Sequence, residues 1–114
     1  MKRTQLQDLT TVTEAAFQRE YQSLRPVLEA EAKVQQQLAR LNAQVQQSRQ
    51  EIASAEGYRV TGTDVLWNGW ESATRRELNL QLARIRSQKL AALADLRIAF
   101  GRKQAVSNLC KNHR

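Results

Sequence analysis

The stretch VQQQLARLNAQVQQSRQEIASA, residues 34–55, decides the fold. Its apolar side chains Val34, Leu38, Leu41, Val45, Ile52 and Ala55 fall on one line, with Ser48 in the remaining slot. The steps alternate between four and three, which is the narrow seam of a coiled coil and not the broad face of a helix packed on a globular core. Gln, Arg, Asn, Ser and Ala fill the rest of the stretch. A stripe this narrow predicts that the partner is another helix of similar length. The Gln-rich segments keep strict apolar spacing, so they are expected to be a solvated coiled-coil face and not a disordered tract.

The same periodicity extends upstream through Leu6, Leu9, Phe17, Tyr21, Leu24, Val27 and Leu28, predicting a first helix over about 4–56. Its flaw is Pro26, which removes an amide donor and crowds the carbonyl four residues earlier, at a cost of about 3 kcal/mol in a helix interior. A kink is expected there, since no Gly, Asn or Asp adjoins Pro26 to make a turn. A separate helix over 4–24 is the alternative. Tyr21 and Leu28 lie one step off the later seam.

The run EGYRVTGTD, residues 56–64, interrupts the pattern. Gly57 suits a left-handed C-terminal cap, and Thr61, Thr63 or Asp64 suits the N-cap of a second helix. Asn68 with Glu71 is a second capping pair, and Gly69 costs helix about 1 kcal/mol, which leaves the start of that helix open. From about 64 to 110 the spacing resumes through Trp70, Ala73, Leu78, Leu82, Ile85, Lys89, Ala92 with Leu93, Leu96, Ala99 with Phe100, Lys103 and Val106. Two helices of nearly equal length, joined by a turn over about 57–63, predict an all-α antiparallel coiled-coil hairpin forming a single domain over 1–114. Each arm would be about 70 to 80 Å long. Trp67 and Trp70 are expected to pack at the tip. Lys89 on the seam is expected to weaken the core, to set register or to reach water along its stem.

Composition narrows the function classes. With 41% hydrophobic and 5% aromatic residues and a mean hydropathy of −0.62, a compact spherical core is not expected. Cys110 and His113 are the only residues of their types, so neither a disulfide framework nor a protein-only metal site is expected. No Gly-rich phosphate loop or nucleophile with a nearby base is present, so the expectation is a non-enzyme with no cofactor and no small-molecule substrate. No apolar run reaches membrane-spanning length, and the first residues do not form an apolar signal core, so a cytoplasmic location is expected.

Charge is uneven. Residues 1–56 carry seven basic and seven acidic side chains, whereas residues 57–114 carry eleven basic and four acidic ones, so the whole net +7 lies in the second half. Folding back is expected to gather Lys2, Arg3, Arg102, Lys103, Lys111 and Arg114 into a basic end suited to an acidic partner.

The second half, WNGWESATRRELNLQLARIRSQKLAALADLRIAFGRKQA, resembles the short alphaproteobacterial form of the flagellar FliJ-type export proteins. The likeness is carried by Trp70, the pair Arg75 and Arg76, Leu78 with Asn79, Leu82 with Ala83, and the run Ala99, Phe100, Gly101, Arg102. It implies a stalk or adaptor of the flagellar type III export machine, peripheral to the inner membrane at the flagellar base. The end formed by the paired termini would dock in the pore of the hexameric export ATPase. A region further along the hairpin would contact the membrane export-gate protein, and export chaperones are further partners of the family. Two other classes stay open. In a nucleic-acid-binding coiled coil the basic second helix would track phosphates, but its cations point in several directions and no aromatic interleaves for base stacking. In a structural homo-oligomer Tyr21, Leu28, Leu80 and Leu90 would pack between hairpins.

Overall fold

A computed structural model describes residues 2–54 and 63–113, except for the side chains of 52–54 and 63–65. The protein is all-α, built from α1 (Arg3–Ser54) and α2 (Thr63–Asn112), two long helices packed against each other as a helical hairpin, with no strand among the described residues. The expected turn over 57–63 lies outside the described parts except for Thr63, with which α2 begins; the caps at Gly57 and Thr61, the side chains of Thr63, Asp64 and Ile52, and Arg114 also lie outside them. The two helices contribute to two compact units, Met1–Glu29 with Arg86–Arg114 (unit 1) and Ala30–Ile85 (unit 2).

In unit 1, α1 begins with half of a capping box. The Lys2 amide donates to Oε1 of Gln5 at 3.1 Å and the Leu6 amide donates to the Lys2 carbonyl at 3.2 Å. Lys2 has no side-chain acceptor to complete the reciprocal bond that Ser or Thr would make. Thr10, Thr11 and Thr13 return their hydroxyls to the carbonyls of Leu6, Gln7 and Leu9 at 2.8, 3.0 and 2.8 Å, which satisfies these poor helix formers within the helix.

α1 runs uninterrupted through Pro26, so the alternative of a separate helix over 4–24 does not hold. The reason lies in phase. Leu24 is buried, Val27 is half-buried, and Gln22 and Pro26 are exposed, so the backbone carbonyl that Pro26 deprives of a partner belongs to the solvent side while the seam passes unbroken. Polar residues share the burial: Thr13 and Glu20 are half-buried at seam spacing, while Tyr21, one step after Glu20, and Leu28, one step after Val27, are exposed.

On α2 the part of the seam in unit 1 runs through Lys89, Ala92, Leu96, Ala99, Lys103 and Val106, with Ala99 and Val106 buried. Phe100, expected on the seam, is half exposed, and its smaller neighbour Ala99 takes the interior position. Phe17 is half-buried opposite, with its ring 6.1 Å from that of Phe100. A large side chain thus faces a small one across the seam, and Phe100 covers the flank.

In unit 2 the core is Val34, Leu41, Leu78 and Leu82, with Leu38 and Ile85 packed against it. Val45 is also buried. Towards Thr63 the seam departs from the expected residues: Trp70 and Ala73 are exposed, whereas Trp67, Glu71 and Thr74 are half-buried. Hydrophobicity favours Trp70 over Glu71 for the seam, but the half-buried line runs Trp67, Glu71, Thr74 to buried Leu78, which leaves Trp70 outward.

Candidate interaction surface

Folding changes where the charge resides. Unit 1 holds eleven basic side chains against five acidic ones, a net +6, while unit 2 holds seven against six, a net +1. The excess assigned to the second half of the sequence thus becomes an excess in the unit that contains both ends of the chain. The first turn of α1 carries no acid, so the partial positive charge of its free amides adds to that of Lys2 and Arg3.

Register then divides the expected basic cluster. Lys103 donates from Nζ to Oε2 of Glu14 at 2.9 Å, and the rings of Phe17 and Phe100 are in contact. A step of three along α1, from Glu14 to Phe17, is met by a step of three backward along α2, from Lys103 to Phe100, so the pairing is antiparallel. Following this register back to Arg3 leads one residue past His113, and Arg3, Leu6, Thr10, Cys110 and His113 line one open groove. Arg102 and Lys103 therefore do not sit beside Lys2 and Arg3. They are about 16 Å further along α1, eleven residues at 1.5 Å each. Lys111, beside Cys110, belongs to the outer level with Lys2 and Arg3.

Lys103 is committed within the fold. Its ammonium lies 4.7 Å from the centroid of the Phe17 ring as well as against Glu14. The bond from Lys103, helped by one from Gln18 Nε2 at 3.2 Å, holds the Glu14 carboxyl below its ordinary value of 4.5 despite a small opposing effect of burial. Glu14 and Phe17 were not recognisable as site residues from the sequence, because their importance arises only when Lys103 arrives from the other helix. Arg102 and Lys111 are exposed cations on unit 1.

Cys110 is exposed, with Sγ 3.6 Å from Oγ1 of Thr10. The Thr10 proton is already given to the Leu6 carbonyl, so the thiol is the donor in this contact. Among the described residues no group of three or more His, Cys, Asp or Glu side chains is placed to hold a metal. No helix among them is long and apolar enough to cross a membrane.

In unit 2 the two tryptophans stack on each other, with centroids 4.9 Å apart and ring planes inclined by 23°. Arg75, one of the residues carrying the FliJ-type resemblance, bridges the helices. It donates to Oε1 of Glu71 from Nε at 3.2 Å and Nη2 at 2.8 Å, and from Nη1 to Oδ1 of Asn42 on α1 at 2.7 Å. Leu78 and Leu82 of the same resemblance are core residues, and Arg76, Asn79 and Ala83 are exposed.

No protein-family model, curated protein or solved structure matches the chain.

Proposed function

We propose that this protein is a non-enzymatic stalk or adaptor of the flagellar type III export apparatus. Its basic unit docks in the pore of the hexameric export ATPase, and a more distant part of the hairpin meets the membrane export gate. The observation that carries the proposal is the net +6 of unit 1, the unit in which Arg3 and His113 line one groove. A helix pair carrying such a charge in one unit suits an acidic, axially open partner, because long-range attraction guides entry and few specific contacts are needed. The FliJ-type resemblance of the second half supplies the identity of that partner. A cytoplasmic location at the flagellar base and contact with export chaperones belong to the same proposal. The mechanism is mechanical and electrostatic, with no catalytic residue and no cofactor.

Because Lys103 is engaged by Glu14 and Phe17, the cations that meet the pore are Lys2, Arg3, Arg102 and Lys111. The test replaces Arg102 and Lys111 together by Glu and measures affinity for the purified ATPase hexamer. Binding is expected to weaken by about tenfold or more, in keeping with loss of complementary charge at an interface, with the helical circular dichroism unchanged. Unaltered affinity would remove the proposal.

A further inference from the structure

The seam of unit 1 leaves one flank apolar and open. Tyr21 follows half-buried Glu20 by one residue, and Leu28 follows Val27 by one. On α2, Phe100 follows buried Ala99 by one, and Leu93 follows Ala92 by one. In an antiparallel pair these four positions fall on the same side, because the residue one step past the seam on one helix neighbours its equivalent on the other. Ring contacts join the two halves of this face: Phe17 lies 6.4 Å from Tyr21 and 6.1 Å from Phe100. Tyr21, Leu28 and Phe100 are 49%, 40% and 51% exposed, and Leu90, three residues before Leu93, extends the face at 70%.

An apolar stripe widened from the seam onto one flank is what a helix shows when it contacts two neighbours instead of one. The charge of this flank indicates what the second neighbour is. Arg25 lies between Tyr21 and Leu28, and Arg97 lies between Leu93 and Phe100, each at helical spacing on the same side. The acid at the matching position is Glu14, already bonded to Lys103. Asp8, Glu29 and Asp95 fall on other faces by their spacing, and Glu20 is part of the seam. A second copy of this chain would bring another unit of net +6 against these arginines.

We propose that this flank receives a third helix from a protein partner: an amphipathic helix with large apolar residues at steps of three and four and with Asp or Glu along both borders. The apolar stripe would cover Tyr21, Leu28, Leu93 and Phe100, while the acidic borders would meet Arg25 and Arg97. Arg102 precedes Lys103 on the opposite flank, and Lys111, on the flank of Arg97, lies about 16 Å beyond Phe100 along α2, eleven residues at 1.5 Å each; this surface is thus separate from the cations assigned to pore docking, and either assignment can fail without the other.

The probe is a labelled synthetic helix of about 21 residues, three heptads, with Leu at the seam spacing and Glu at the borders, titrated into the full chain by fluorescence anisotropy. Saturable binding is expected. Replacing Tyr21 and Leu28 together by Ser should weaken it about tenfold or more, as loss of central apolar anchors does. Arg25→Gln with Arg97→Gln should weaken it and flatten its salt dependence. Leu80→Ser, in unit 2, should leave it unchanged, and every variant should keep its helical circular dichroism. The proposal is overturned by absence of binding, by equal binding of a scrambled peptide of the same composition, or by indifference to the Tyr21 and Leu28 exchange. Two further results would also overturn it: a concentration-dependent dimer in sedimentation that the same exchange abolishes, or binding to anionic phosphatidylglycerol vesicles that the exchange abolishes while peptide binding persists.

Discussion

Lys103 on α2 places its ammonium 2.9 Å from the carboxylate of Glu14 on α1, joining residues 89 positions apart in the chain. The bond to Lys103 is the main cause of the lowered Glu14 pKa. A carboxyl whose pKa falls on folding contributes stability above its unfolded value and loses it as pH drops through the folded value. Carboxyl-detected NMR titration is expected to show Glu14 titrating below 4.5, and Lys103→Gln should move it back towards that value. A Glu14 titration unchanged by the exchange would mean that the pair does not persist in solution.

Burial separates leucines that spacing alone treats alike. Leu41 is 3% exposed in the core of unit 2, whereas Leu80 is 46% exposed. Leu41→Ala is expected to cost about 2 to 3 kcal/mol, near the low end for buried leucines because a two-helix seam can partly close over the gap. Leu80→Ala should stay within about 0.5 kcal/mol. Urea unfolding followed by circular dichroism at 222 nm distinguishes the two, and equal losses would contradict the packing described.

Pro26 lies in the interior of α1 on its exposed side. Pro26→Ala restores an amide donor for the Gln22 carbonyl without disturbing Leu24 or Val27. A gain of about 1 to 3 kcal/mol is expected, up to the full helix penalty of proline. Thermal melts of the two proteins measure it, and a lower melting temperature for the alanine variant would show that the proline geometry is required.

Arg75 reaches Asn42 across the helix pair at 2.7 Å while Glu71 holds its guanidinium from the same helix. A double-mutant cycle over Arg75→Ala and Asn42→Ala is expected to give a coupling of about 0.5 to 1.5 kcal/mol, the range for a hydrogen bond in partial contact with water. Arg75→Lys should lose most of it, since an ammonium cannot serve Glu71 and Asn42 together in the fork geometry of a guanidinium. Zero coupling would make the bridge incidental.

The two-helix architecture was legible in the sequence because the alternation of three and four apolar steps constrains helix pairing whatever the polar residues are. The seam from Val34 to Val45 and from Leu78 to Ile85 follows directly from it. The same periodicity misplaced Trp70 and Phe100. Two adjacent residues differ by about 100° around a helix, and hydrophobicity alone chooses Trp70 over Glu71 and Phe100 over Ala99, whereas in the fold Glu71 is half-buried and Ala99 buried.

What the sequence determined by itself is the helical class, two helices of nearly equal length and the surplus of cations. Those features are local or additive, so they need no knowledge of what faces what. Only the tertiary structure decided the register, and with it which side chains face one another. Lys103 meets Glu14 instead of remaining free, Arg102 lies about three turns from Arg3, and Tyr21, Leu28, Leu93 and Phe100 meet on one flank. Register is set by the sum of small packing choices along the seam, such as Ala99 opposite Phe17, and no single residue announces it in the chain.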